Sequence, residues 1–211
     1  MREIDAVLFD FGGVFTASPF DAIEELEQEI GSQPGQILEL VFGPYHEDTD
    51  HPWHRLERGE VSLEIARNEI IELGNLVGID SDPFTLFARM GSSGIREEMV
   101  NRGLALRKQG YRTALVTNNA HEFRERWVQM IPVDELFDSI IDSSEVGVRK
   151  PDPRIYQLAL ESVGGVDPRR ALFLDDLQSN VEAAERLGIR GLLVTPNLEE
   201  PLAALDQLIN S

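Results

Sequence analysis

Five short runs of apolar, β-leaning residues punctuate the chain: AVLF at 6–9, TALVT at 113–117, SIID at 139–142, ALFLD at 171–175 and GLLVT at 191–195. Helical patterns separate the later runs, and strands that alternate with helices predict a parallel sheet joined by right-handed crossovers. The helix signals are strongest after residue 150. In PDPRIYQLALESVGG, Asp152 can cap, Pro153 can take the first helical position, and Ile155, Leu158, Ala159 and Val163 form an apolar stripe. Ser179 and Glu182 have capping-box spacing ahead of Val181, Ala184 and Leu187, and Gly188 supplies a stop.

Between Ser18 and Ser92 the pattern changes. PFDAIEELEQEIG, SQPGQILELVFG, SLEIARNEIIELG and DPFTLFARMG read as helices, joined by loops rich in Gly, Pro, His and Asp, and no strand is evident. The pattern predicts a helical module, residues 18–92, inserted after the first strand of a sheet domain made of residues 1–17 and 93–211. The chain returns to the sheet through SGIREEMVNRGLALRKQG. There is no internal repeat or low-complexity tract.

Polar residues fall where the strands stop. AVLF runs into Asp10 and the glycine pair Gly12–Gly13; TALVT ends on Thr117, with Asn118 and Asn119 behind it; ALFLD ends on Asp175, followed by Asp176; Lys150 lies in VRKPD after the third run. Each has a plainer reading: Asp and Gly end strands in turns, Thr-Asn-Asn is turn-like, a lysine is ordinarily exposed, and paired acids favour the start of the next helix. Ligands of open parallel sheets nevertheless bind beyond the carboxyl ends of the strands, so these residues could share one rim.

At 211 residues the chain suits one substantial domain with a smaller insert. No apolar run approaches the roughly 20 residues needed to span a bilayer, and MREIDAVLFD has no signal-peptide pattern. The absence of cysteine excludes disulfide and thiolate chemistry. The expected location is the cytoplasm. A formal charge of −19 disfavours nucleic acid and anionic membrane as partners. It also means that an anionic substrate would need local positive charge or a metal ion.

DFGGV, LVTNN, VRKPD and FLDDLQSNVEAAERLG together resemble the four motifs of the haloacid dehalogenase-like (HAD) hydrolase superfamily, and residues 18–92 resemble its helical cap. The last two motifs are most like the subgroup containing the phosphatase domain of soluble epoxide hydrolase and bacterial sugar-phosphate phosphatases. The resemblance implies an α/β fold with a Rossmann-like parallel sheet core and a small α-helical cap after the first strand. It implies that Asp10 is a nucleophile forming an aspartyl-phosphate that water hydrolyses. Mg²⁺ would be held by the Asp10 carboxylate, the Gly12 carbonyl and Asp176, with Asp175 a direct or outer contributor. Thr117 and the Asn118 backbone N–H would bind the phosphoryl oxygens, and Lys150 would neutralise charge between Asp10 and phosphate. The partner would be a small phosphate ester.

The family's phosphatases usually carry a second aspartate, the general acid and base, where this chain has Gly12. Its loss removes a proton donor worth about 10²- to 10⁴-fold in rate. Three readings stay open: a Mg²⁺-dependent phosphatase with an altered acid, a metal-free 2-haloacid dehalogenase, and a non-catalytic binding or regulatory protein. The paired Asp175 and Asp176 argue against the dehalogenase. YHEDTDHPWHRLERGE gathers His46, His51 and His54 without zinc-motif spacing. It reads as a polar cap loop, in which His54 is a candidate for the missing acid because histidine titrates near neutral pH.

Overall fold

In a computed structural model, which describes residues 2–90 and 94–209, all five runs are strands: β1 (Ala6–Phe9), β2 (Arg112–Thr117), β3 (Ser139–Asp142), β4 (Ala171–Asp175) and β5 (Arg190–Leu193). They form one parallel sheet in the order β3-β2-β1-β4-β5. The fold is α/β. Every residue of β1 and β4 is buried, which explains why these strands read as unbroken apolar runs instead of alternating ones. Val7, Phe9, Leu172 and Leu174 face one core, and Ala6, Leu8, Ala171 and Phe173 face the other, as the two-residue period of a strand requires.

Twelve α-helices accompany the sheet among the described residues. Five follow β1: α1 (Pro19–Ile30), α2 (Gln36–Phe42), α3 (Pro52–Glu57), α4 (Leu63–Val77) and α5 (Pro83–Met90). Then come α6 (Glu97–Lys108), α7 (Arg124–Trp127), α8 (Val133–Leu136), α9 (Ser143–Val146), α10 (Pro153–Ser162), α11 (Gln178–Arg186) and α12 (Glu199–Ile209). Among the described residues, no helix is long and apolar enough to cross a membrane.

The helices α1 to α5 share their own apolar cluster, built on Ile23, Ile37, Phe42, Trp53, Leu56 and Ile70, into which Ala120 and Phe123 project from the segment after β2. The two connecting segments run side by side: Thr16 bridges Ile95, and Arg96 N–H donates to Phe15 O at 2.8 Å. The expected boundary between Ser92 and Ser93 lies outside the described residues.

Three local expectations need correction. Six residues of the tract read as a polar loop are α3, whose side chains Trp53, His54, Leu56 and Glu57 are all buried. His51 starts this helix, accepting a hydrogen bond from Trp53 N–H, and Pro52 follows at the first helical position. The Ser179–Glu182 capping box does not form. Helix α11 begins two residues earlier, at Gln178 with Leu177 in the cap position, because Asp175 Oδ1 accepts Leu177 N–H at 2.8 Å and so fixes the turn; Ser179 Oγ donates instead to Tyr45 O at 3.3 Å. The fifth strand is Arg190–Leu193, not 191–195. Asp152 does cap α10, its side chain accepting Arg154 N–H at 2.8 Å.

Candidate active site

β1 lies at the centre of the sheet, and the chain adds strands first on its β2 side and then on its β4 side. That switch in direction opens a crevice at the carboxyl ends of β1 and β4. Asp10 follows β1 directly, its N–H donating to Leu174 O at 2.8 Å, and Asp175 closes β4. Thr117 closes β2 on the other side and is buried.

Lys150 arrives from the loop after α9 and joins the two acids. Its Nζ lies 2.7 Å from Asp10 Oδ1 and donates to Asp175 Oδ2 at 2.8 Å, with only 1% of the lysine exposed. Asn118 holds the lysine backbone in place: its Oδ1 accepts Lys150 N–H at 2.8 Å, and its Nδ2 donates to Lys150 O at 3.0 Å. The Asn118 side chain is therefore engaged, which leaves the backbone N–H named from sequence as the group to consider for a ligand.

The two acids of the fourth motif are in different situations. Asp175 is fully buried, and both oxygens accept from Asn180 Nδ2 at 3.1 Å in addition to Lys150 and Leu177. Asp176 is half-buried and accepts from Ser18 Oγ at 2.5 Å. It lies so close to the backbone turn after Asp10 that a β-carbon on Gly13, at φ +67°, would collide with its carboxylate. Arg96 fixes that turn from outside, Nη1 donating to Gly13 O at 2.7 Å and to Thr195 O at 3.2 Å.

Oxygens of Asp10, Asp175 and Asp176 all lie within 4.8 Å of one another. Crowding of this kind shows in their acidity. Burial pushes the Asp10 carboxyl up to about 7, with Lys150 pulling it back and Asp175 adding to the rise. Asp176 rises to about 8, first through burial and then through the charges of Asp175 and Asp10. Burial pulls Lys150 down, but Asp10 and Asp175 override it and hold the ammonium above the ordinary lysine range. One lysine does not balance three carboxylates. The remaining negative charge and the cluster of hard oxygen donors fit a divalent cation such as Mg²⁺.

A cavity of about 140 Å³ opens beside Asp176, lined by Gly13, Ser18, Arg96, Leu177 and the segment after β5. A larger groove of about 510 Å³ lies within the helical module, between α1, α2 and the α4–α5 turn, and none of the strand-end residues borders it. Of the strand-end cluster, Asp176 is the member that borders the smaller opening, beside Gly13.

His54 does not qualify as the missing acid. It is 0% exposed; its Nδ1 accepts Thr49 N–H at 3.0 Å, and burial, then Arg149, His51 and Arg58, push its pKa down to about 3. The ring is neutral at working pH and serves packing within the module. Its neighbour His51 is committed to Trp53 N–H and Leu40 O, and among the described residues no histidine belongs to a cluster able to hold a metal ion. Ser18 and Arg149 were not identified from sequence; the one is an ordinary helix-entry serine by pattern, and the other reads as a surface arginine.

A family model described as "Hydrolase: haloacid dehalogenase-like hydrolase" matches residues 4–188. Bifunctional epoxide hydrolase 2 of Mus musculus is 35% identical over 109 residues, covering 50% of this chain and 20% of that protein. The chain thus spans about a fifth of that relative's length. Phosphatase MT3486 of Mycobacterium tuberculosis (strain CDC 1551 / Oshkosh) is 30% identical over 201 residues, covering 91% of this chain and 88% of that protein. Among solved structures, a HAD family enzyme of Bacteroides thetaiotaomicron, crystallised with magnesium and inorganic phosphate, superimposes with a TM-score of 0.62 at 21% identity, covering 93% of this chain and 98% of that one.

Proposed function

This chain belongs to the haloacid dehalogenase-like hydrolase family, and from that premise we propose that it is a Mg²⁺-dependent phosphomonoester hydrolase acting on a small phosphometabolite such as a sugar phosphate. One observation carries the reading. A buried lysine, bound to Asp10 and Asp175, meets a carboxylate cluster whose excess negative charge calls for a cation. A metal-free dehalogenase has no use for that excess.

Asp10 is the nucleophile. The residue is buried with 9% exposed, enough for one face to meet a phosphorus atom. One Asp10 oxygen bonds to phosphorus as the bond from phosphorus to the ester oxygen breaks, that oxygen taking its proton from water. A second water then attacks phosphorus, releasing inorganic phosphate and restoring the carboxylate. Lys150, tied to Asp10 Oδ1, favours the ionised carboxylate against burial and offsets charge on the phosphoryl group. Thr117 and the Asn118 N–H, at the end of β2, stand to hold the other phosphoryl oxygens. Asp10, Asp176 and the Gly12 carbonyl would hold Mg²⁺, and Asp175, saturated by its hydrogen bonds, would act from outside the coordination shell. Bound there, the cation supplies Lewis-acid stabilisation of phosphoryl oxygens.

The test is phosphate release from an activated aryl phosphate and a panel of sugar phosphates. Release is expected with Mg²⁺ and is lost with chelator. Halide release from a 2-haloacid with no phosphate release would replace this reading. Gly12 defines a second expectation. Gly12→Asp restores a carboxyl at the family's acid position and should accelerate hydrolysis of poor leaving groups, by up to about 10²-fold, more than that of activated aryl esters. Equal effects on both classes would remove the missing-acid account.

A further inference from the structure

We propose that Arg149 is a positioning residue that makes the placement of Lys150 depend on the seating of the helical module. Its catalytic consequence rests on the phosphatase reading; the coupling itself does not.

Two consecutive residues on one loop reach in different directions. Lys150 binds Asp10 and Asp175 at the strand ends. The Arg149 side chain reaches into the module: Nε donates to Glu57 Oε2 on α3 at 2.7 Å, Nη1 donates to Glu47 O at 3.2 Å, and Nη1 lies 3.6 Å from Asp48 Oδ1. Its guanidinium also packs over the Tyr45 ring at 5.6 Å. Adjacent α-carbons are about 3.8 Å apart, so a displacement of one side chain's anchor is felt by the other.

The anchor is dry. Arg149 is 0% exposed and Glu57 3%. The second Glu57 oxygen accepts Trp53 Nε1–H at 2.9 Å, which locks the carboxylate to its own helix. Arg149 Nη2 has no hydrogen-bond partner among the described residues, so the bond to Glu57 is the guanidinium's principal hold. Parting such a pair leaves a buried charge uncompensated, which is far costlier than parting a surface pair.

The seam around the pair is closely fitted. A β-carbon on Gly59, just beyond α3, would run into Ser144 O of α9, and Leu63 N–H donates to Glu122 Oε1 at 2.8 Å. Lys150 is thus held from two sides, by Asn118 on the sheet side and through Arg149 on the module side. If the module lifts, either Arg149 gives up Glu57 or the lysine's loop moves with it. A correctly placed lysine therefore reports a seated module.

Glu57→Gln removes the charge from a residue outside the Asp10–Asp175–Asp176–Lys150 cluster and keeps its shape. Leu56→Ala, in the core of α3 and off the Arg149 pair, controls for loss of stability alone. Amide hydrogen exchange at residues 147–150 is expected to accelerate in Glu57→Gln and to stay at the wild-type rate in Leu56→Ala. On an aryl phosphate with Mg²⁺, kcat per folded molecule is expected to fall about 10- to 100-fold in Glu57→Gln, with KM little changed and Leu56→Ala unaffected. Glu57→Asp, which keeps the charge, is expected to recover part of the loss. Unchanged exchange in Glu57→Gln overturns the coupling, whatever the wild type hydrolyses. Accelerated exchange with an unaltered kcat overturns its catalytic role. Accelerated exchange in a protein that releases no phosphate sinks the phosphatase reading and leaves the coupling standing.

Discussion

Asp10→Asn is expected to abolish turnover without unfolding the protein, lowering kcat by about 10⁴-fold or more, as removal of an attacking group does. The amide has the shape of the carboxylate and can still accept from Lys150, and the Asp10 N–H bond to Leu174 O belongs to the backbone. It cannot supply the ionised oxygen that bonds to phosphorus. Stability should move in the opposite direction from activity. The Asp10 carboxyl sits at about 7 because burial opposes its charge, so at pH 8 the native carboxylate is held ionised against that cost. The asparagine variant is relieved of it and should melt at or above the wild-type temperature when metal-free. Thermal melts beside steady-state rates check both halves.

Lys150→Met is expected to damage both activity and stability. Removing one partner from a buried ion pair typically costs about 3–5 kcal/mol, and here the lysine serves two carboxylates at 2.7 and 2.8 Å. The loss depends on pH. Asp10 at about 7 and Asp176 at about 8 bind protons in the fold that the unfolded chain has released at ordinary carboxylate values. Where the native state holds more protons, stability falls as pH rises. Metal-free stability therefore declines from about pH 4 to pH 8, and more steeply without Lys150. The gap in melting temperature between wild type and Lys150→Met should widen from pH 5 to pH 8, while kcat falls by about 10²- to 10³-fold. A gap that narrows with rising pH would contradict the assigned charge balance.

The strand ends were legible because sheet chemistry made them so. Asp10, Thr117 and Asp175 each break an apolar run, and parallel strands bring such breaks to one edge. Lys150 was legible only through its motif, since nothing in a lone lysine announces that it is buried. Helix α3 was hidden because its buried face mixes Trp53 and Leu56 with His54 and Glu57, polar residues that break the apolar pattern, and Glu57 becomes core only through pairing with Arg149 and Trp53. The same concealment made His54 look titratable. Helix α12 (Glu199–Ile209), whose Leu205 packs under the sheet, was not anticipated at all. The Ser179 cap failed for another reason: Asp175, a residue of the preceding strand, already held the turn. Contacts made across the fold decided α3 and α12, and local pattern carries no record of them.

The most direct measurement is to quench wild-type protein during turnover of an aryl phosphate with Mg²⁺ and map any phosphoryl group by peptide mass spectrometry. A phosphoryl group on the peptide containing Asp10, absent from Asp10→Asn and from chelated protein, is the predicted result. A phosphoryl group carried on another residue, or undiminished phosphate release by Asp10→Asn, would contradict the account.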